Sequence, residues 1–313
     1  MLAHRSAKRS LPRPANNIRG TNEMSNGTAT CVICSAVAES CWVKSGYTYY
    51  RCRSCRHLFV WPMPEDARKI YSRTYFEGGG DGFGYPDYDR DKQAMAPTFT
   101  AYLDRIARIS GRTGTLLDVG AATGFFMGMA RARGWSVSGV EVSDHASQTA
   151  RSRGFDVRTG VLAEQDFEDS SFDAITMWDV IEHMENPARD VTKSAALLKS
   201  GGVLAINTPD SGSLVSKVAG VRWHLVIPPE HLNLFSAQSL RIVLESCGFE
   251  ILEATTLGKG FTVQYVAETL SHVISPLKGI AARIAGTRLG RANVSINLHD
   301  NVFLLARKKA DAP

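Results

Sequence analysis

The sequence predicts an α/β protein: a doubly wound, mostly parallel sheet of seven strands, preceded by a small cysteine-rich head. Three observations predict it. From Thr115 onward strand-like and helix-like runs alternate, which sets a parallel sheet between two helical layers. The stretch "TLLDVGAATGFF" (115–126) carries one acid and two glycines where the first strand turns into the first helix. Two Cys-x2-Cys pairs, Cys31/Cys34 and Cys52/Cys55, stand ahead of this region.

Taken in order, residues 1–28 form a basic head that reads as disordered, because "AHRSAKRSLPRPANNIRG" has no apolar core. For the same reason it does not read as a secretory signal, and Met24 is an alternative start. Residues 29–62 are the cysteine-rich unit, with short β-like runs such as "YTYYRC". Residues 63–98 connect it to the rest and are rich in Tyr, Gly, Asp and Pro ("YFEGGGDGFGYPDYDRD"). The large domain covers 99–313. It opens with a helix whose apolar residues Phe99, Leu103, Ile106 and Ile109 share one face. Then come strand "TLLDV" and helix 125–133, strand "SVSGVEV" and helix 144–153, short strand "FDVRT", strand "FDAITMWDV" and helix 187–199. Strand "GGVLAINT", helix 236–247 and strand "FEILEATTL" follow, and "NVFLLARK" (301–308) ends the sheet after a helical insertion at 258–297.

Composition narrows the function classes. Of 313 residues, 44% are apolar and 21% charged, the balance of a globular chain. The net charge of +5 is concentrated in residues 1–23, where Arg5, Lys8, Arg9, Arg13 and Arg19 face only Glu23. The rest is near neutral, which argues against a general nucleic-acid binder. No apolar run reaches the 18 residues of a membrane span. With six cysteines and no secretion signal, the expected location is the cytoplasm and structural disulfides are not expected.

In a doubly wound sheet, ligands sit at the carboxyl ends of the strands. Gly120 and Gly124 let the backbone of the first turn approach a ligand closely. A dinucleotide turn needs Gly-x-Gly-x-x-Gly, and a phosphate loop needs Gly-Lys-Ser/Thr; neither is present. A pyrophosphate is therefore a poor fit, and a nucleotide-dependent oxidoreductase a distant reading. Glu141 ends the second strand, where a carboxylate can accept both hydroxyls of a ribose. Asp118 ends the first strand, well placed to meet an ammonium group. An acid, a close-approach turn and a ribose acid suit a cationic nucleoside without phosphates, such as S-adenosylmethionine.

"LLDVGAATG", "GVEVSD", "FDAITMWDVIEHMENP", "LKSGGVLAINTPD" and "HLNLFSAQSLRIVLESCGFEI", in that order, resemble the class I S-adenosylmethionine-dependent methyltransferases, which have a Rossmann-like fold. The resemblance covers about 99–257 and the last strand. It implies that Asp118, Gly120, Ala122 and Gly124 surround the methionine moiety. It further implies that Glu141 and Val142 hold the ribose, that Val161 and Leu162 flank the adenine, and that Asp179 lies at the donor. Ala122 replaces the commoner glycine, and many relatives have Asp where Val161 stands.

Cys31-x2-Cys34 and Cys52-x2-Cys55, 17 residues apart, can present four thiolates to one Zn²⁺. Four protein ligands leave no open position, so this zinc would be structural, in a zinc ribbon; a redox pair or free core cysteines are the alternatives. Cys52→Ser is expected to unfold this head and leave the donor site folded. "YRCRSCRHLFVWPMPEDARKIYSRTYF" resembles the head of some bacterial sugar-modifying methyltransferases. Zinc ribbons also occur in RNA-base methyltransferases, a reading that Arg51, Arg53 and Arg56 would serve; a solvated charged rim is the plainer one.

An alcohol acceptor must lose a proton, and histidine suits that task. His183 follows the fourth strand in "DVIEH", and His231 lies in "PPEHLNLF". His183 is expected as base and His231 as the residue that positions the acceptor. In the plainer readings His183 braces its loop and His231 caps the next helix. Asp179-x-x-Glu182-His183 also resembles a motif of ubiquinone-pathway O-methyltransferases, where a divalent metal is an option. "WDVIEH" stands where methyltransferases of nucleobase amino groups carry Asn/Asp-Pro-Pro-aromatic, which argues against such an acceptor. The insertion at 263–291 reads as a lid over the cleft, or else as an interfacial helix touching a membrane surface. The expected acceptor is a hydroxyl of a sugar, glycan or other small molecule. Carbon is less favoured, because the sugar C-methyltransferases carry a long further domain. The rival readings are a zinc-containing rRNA methyltransferase and a non-catalytic interaction protein.

Overall fold

The computed structural model describes residues 27–64, 70–71, 73–77, 88–264, 266–267, 278–284 and 287–310. Nearly all of the expected basic head, part of the connector and the middle of the 263–291 insertion lie outside the described residues.

The cysteine-rich unit is built from β1 (Thr28–Thr30), β2 (Val37–Lys44), β3 (Tyr47–Cys52) and β4 (Leu58–Val60), joined as an antiparallel meander. The connector contributes α1 (Arg73–Glu77) and α2 (Tyr88–Gln93). The large domain follows with α3 (Ala96–Ser110), β5 (Thr115–Val119), α4 (Phe125–Ala132), β6 (Ser136–Glu141), α5 (Asp144–Ser152), β7 (Asp156–Thr159), β8 (Phe172–Trp178), α6 (Pro187–Leu197) and β9 (Leu198–Pro209). It continues with α7 (Leu214–Ala219), β10 (Asn233–Leu234), α8 (Ala237–Ser246), β11 (Phe249–Thr255), β12 (Lys259–Thr262), α9 (Lys278–Ile284), β13 (Asn293–Ile296) and β14 (Asn301–Lys308).

The main sheet has seven strands in the order β11-β14-β9-β8-β5-β6-β7. Strands β5 to β9 pair in parallel, and β14 runs antiparallel between β9 and β11. The order reverses beside β5, so the crevice at its carboxyl end is where a ligand belongs. The centre of the sheet is covered on both faces. Leu117, Ile175, Leu204 and Leu304 pack with α6 and α8 on one side. Leu116, Ala174, Ala205 and Phe303 pack with Tyr102 and Ile106 of α3 on the other. Such double burial explains the nearly unbroken apolar runs of the central strands.

One feature departs from the sequence expectation. The small sheet has a fifth strand, β10, which comes from the large domain and pairs antiparallel with β4. Cys31, Tyr50, Cys52 and Phe59 share one apolar cluster with Ile175, Phe235 and Leu240. The cysteine-rich unit and the large domain thus share a core, which counts against the expectation that the unit unfolds alone. Among the described residues, no helix is long and apolar enough to cross a membrane.

Candidate active site and cysteine centre

The first turn takes its shape from three left-handed residues, Gly120, Ala122 and Gly124. Gly120 has φ +76°, and a Cβ there would stand 2.3 Å from Val180 Cγ2. The turn therefore lies directly under the loop that leaves β8, and only glycine fits. Ala122 adopts φ +47° in spite of its side chain. It is held there by its N–H, which donates to Glu141 Oε2 at 2.8 Å. Ser143 N donates to the other oxygen, Oε1, also at 2.8 Å. Glu141 so ties the first and second turns together, and each oxygen keeps a lone pair for a further donor. Burial pushes its carboxyl above the ordinary range, against the pull of these N–H groups.

A cavity of about 970 Å³ opens at this edge of the sheet. Its walls bring together Gly120, Ala122, Glu141, Val142, Val161, Leu162, Asp179, His183 and His231. All but two of the residues expected at the site from sequence are therefore on one surface. Asp118 lies apart, on a narrow cleft that shares Gly120, Tyr88, Lys92 and Trp178 with the main cavity. It accepts from Thr176 Oγ1 at 2.7 Å, and burial pushes its pKa up to about 7. Gly124 is not on either surface. It starts α4, where a Cβ would press on Phe155 at 2.8 Å, so it serves helix packing.

Asp179 has φ +55°, a strained conformation for a residue with a Cβ. Its Oδ1 accepts from Asn207 Nδ2 at 2.7 Å, and Asn207 Oδ1 accepts from Tyr102 at 3.0 Å. Lys259 Nζ donates to both oxygens of Asp179, at 2.8 and 2.9 Å. Burial opposes ionisation of Asp179, but the charges of Lys259 and Lys92 outweigh it and hold its pKa low.

The two histidines line the same cavity, their rings 4.9 Å apart. His183 Nδ1 lies 2.7 Å from Glu230 O, and His231 Nδ1 lies 2.7 Å from Leu225 O. A carbonyl can only accept, so Nδ1 carries the proton in both rings and Nε2 is the basic nitrogen. Burial pushes the His231 pKa down to about 3. The plainer reading of His231 as a helix cap does not hold, since Ser236 caps α8. Glu182 is buried beside them; Thr208 donates to Oε2 at 2.8 Å, while Oε1 has no partner among the described residues. Glu182, His183 and His231 offer ligand atoms within 4.8 Å of one another. The set noted from sequence had Asp179 in place of His231; the ion pair with Lys259 takes Asp179 out of it.

Several cavity residues were not picked out as site residues from sequence: Tyr71, Tyr75 and Tyr88 of the connector, Lys92, and Lys259. Tyr75 donates to Glu230 Oε1 at 2.9 Å. The dense aromatics of the connector were the available signal. Lys259 carried none, because its partner is 80 residues away.

At the cysteine centre, Cys31, Cys34, Cys52 and Cys55 place their sulfurs within 4.8 Å of one another. Cys31 Sγ is 3.6 Å from Cys55 Sγ, and Cys34 Sγ is 3.5 Å from Cys52 Sγ. All four are free thiols, too far apart for disulfides. Hydrogen bonds from Cys31 and Cys55 pull the Cys34 thiol down, toward the thiolate a metal needs. Two of the three arginines of this unit are engaged: Arg53 pairs with Glu39, and Arg51 stacks over Trp42 at 5.3 Å.

The sheet order, the first turn and the Glu141 acid define a class I S-adenosylmethionine-dependent methyltransferase. A family model for the Methyltransferase domain matches residues 90–254, more than half of the chain, and the chain belongs to that family. A ubiquinone biosynthesis O-methyltransferase of Alkalilimnicola ehrlichii is 32% identical, over 41% of this chain and 56% of that protein. The chain thus spans little more than half the length of this relative. A ubiquinone biosynthesis O-methyltransferase of Dechloromonas aromatica is 26% identical, over 55% of this chain and 84% of that protein. Among solved structures, the YcgJ protein of Bacillus subtilis superposes with a TM-score of 0.50 at 14% identity, covering 69% of this chain and 99% of that one, a likeness of fold.

Proposed function

We propose that the protein moves the methyl group of S-adenosylmethionine to a hydroxyl of a small molecule, such as a sugar or glycan precursor, in the cytoplasm. The observation that carries this reading is the single cavity of about 970 Å³ that joins Glu141 and Gly120 to the two histidines. This is the upper end of the range for ligand pockets, roughly 300–1,000 Å³, with room for donor and acceptor together. Glu141 would accept the ribose hydroxyls, Val142 would pack beside the ribose, and Val161 and Leu162 would flank the adenine. His183 Nε2 would take the acceptor proton as the oxygen attacks the sulfonium methyl in line, and His231 would hold the acceptor. His231 is the weaker base, because its burial disfavours the imidazolium. Alignment of the two reactants supplies the rest, on the order of 7–11 kcal/mol at best.

The four thiols fit a structural zinc, since they are close, free and include one group biased to thiolate. The engaged arginines favour small acceptors over RNA, and the base of the 263–291 insertion favours a lid, because Lys259, Phe261, Thr262 and Val266 line the cavity. A second reading, with a divalent cation at the acceptor side, has one specific support: buried Glu182 Oε1 has no partner among the described residues, and Glu182, His183 and His231 bring ligand atoms within 4.8 Å of one another. A cation held there would lower the pKa of the acceptor hydroxyl.

The test is titration calorimetry with S-adenosylmethionine, followed by transfer of labelled methyl to panels of sugars, phenols and total RNA, with and without Mg²⁺ or Zn²⁺. Donor binding with methylated sugar or phenol is the expected result. Absence of donor binding sinks the reading, and labelled RNA alone moves it to the RNA class.

A further inference from the structure

The cavity holds an internal ion pair that the assignment above does not use. Lys259 lies at the start of β12, on a hairpin with β13. It reaches down to Asp179, and its side chain is only 16% exposed. The hairpin is seated closely. A Cβ on Gly260 would fall 1.8 Å from the backbone oxygen of Ala94, and Thr98 donates to Gly258 O at 3.0 Å. Ala94 and Thr98 bracket the start of α3, and Lys92 is two residues before Ala94. Two lysines from separate elements therefore meet the same mouth of the cavity. Asp179 is joined there to Gly120 through Val180, whose methyl blocks any Cβ at 120. The pair stands beside the first turn, at the end of the site where the methionine moiety is assigned.

That moiety is a zwitterion: an ammonium and a carboxylate on one carbon. Its charges are the mirror of Asp179 and Lys259. We propose that Lys259 binds the α-carboxylate of S-adenosylmethionine while Asp179 binds its α-ammonium, the internal pair opening into two pairs with the donor. Two charges enter, two partners are already in place, and no buried charge is left alone, which is the condition for burying ions at tolerable cost. Lys92 lines the same cavity and adds positive potential to it. Asn207 keeps Asp179 aimed throughout, since its bond to Oδ1 and that of Tyr102 to its own oxygen involve neither lysine. The proposal rests on the S-adenosylmethionine reading and adds a ligand from the insertion, outside the family-matching segments.

The experiment compares two nucleosides by calorimetry on the full chain. S-adenosylhomocysteine has the amino-acid end; 5′-methylthioadenosine lacks it. In Lys259→Met, affinity for S-adenosylhomocysteine should fall by about tenfold or more, the range for a lost hydrogen bond to a charged group. Affinity for 5′-methylthioadenosine should stay within about twofold, which also shows that the variant is folded. Lys259→Arg should recover part of the loss. Equal weakening of both nucleosides would mean that Lys259 only clamps the hairpin, and would overturn the proposal. Unchanged or tighter S-adenosylhomocysteine binding would overturn it as well. A wild-type chain that binds neither nucleoside would instead sink the donor reading itself.

Discussion

Tyr49 of the cysteine-rich unit donates its hydroxyl to the backbone oxygen of His231, at 2.8 Å, across a fully buried contact. Three further links run beside it. Val60 N donates to Leu232 O at 2.8 Å. His57 Nε2 is 3.0 Å from Asn233 Oδ1, and Asn233 Nδ2 donates to Met184 O at 2.7 Å. The segments carrying His183 and His231 are thus pinned from below by the cysteine-rich unit. It thereby braces the part of the cavity lined by His183 and His231.

The brace changes what Cys52→Ser should do. The purified protein is expected to hold one zinc per chain, and the variant to lose it. Because β10 and the apolar cluster are shared, the damage should spread. The melting temperature of the whole chain should fall by several degrees, and amide exchange should accelerate at 182–184 and 231–234 as well as in β1 to β4. Elemental analysis showing no zinc after metal-replete expression would contradict the first part. Exchange confined to the cysteine-rich unit would restore the independent head read from sequence.

Glu141→Ala should weaken S-adenosylmethionine binding by roughly 1.5–3 kcal/mol, the range for hydrogen bonds to a charged acceptor. Part of the loss will come from the turns, since Ala122 N and Ser143 N lose their acceptor. Glu141→Gln should fall between wild type and Glu141→Ala, because its amide oxygen still accepts one of the two N–H groups while its NH2 faces the other. Calorimetry giving wild-type affinity for both variants would remove Glu141 from the donor site.

Asp118 offers a pH signature. Burial raises its carboxyl to about 7, with the neighbouring Glu141 adding to the rise. Between its unfolded pKa near 3.9 and about 7, the folded state holds more protons than the unfolded state. Its contribution to stability is therefore fully present below about 4 and is lost as pH rises through 7. Asp118→Asn keeps an acceptor for Thr176 and removes the titration. Stability of the wild type relative to this variant should fall steadily from pH 4 to pH 7 in denaturant melts. A flat difference would show that Asp118 is ionised throughout.

The seven strands were legible because double burial writes itself as apolar runs, and each run from "TLLDV" to "NVFLLARK" lies on a strand of the sheet. That Gly120, Glu141, Val142, Val161 and Leu162 share one cavity was legible too, since they sit at fixed offsets from strand ends. β10 has two residues, and its partner lies some 175 residues away, so no local pattern announces it. The Lys259–Asp179 pair was hidden likewise, by the distance in sequence between its members. Gly124 shows that a residue of the motif can also answer to packing: a Cβ there would press on Phe155.

The base assignment is decided by the two histidines. Both hold Nδ1–H against a backbone carbonyl, so both offer Nε2. They differ in burial: His231 is 6% exposed with its pKa pushed down to about 3, and would have to form an imidazolium where none is favoured. His183 is half-buried, with Tyr71 against its ring at 5.7 Å. His183→Ala should cut kcat by about 10²–10⁴-fold at unchanged donor affinity, the usual loss for a general base. His231→Ala should chiefly raise the acceptor KM. If the variant instead keeps near-normal turnover across pH 6–9, His183 is a brace for the Glu230 loop. If it is rescued by added Mg²⁺ or Zn²⁺ no better than the wild type is stimulated, the cation reading at Glu182 and His231 falls with it.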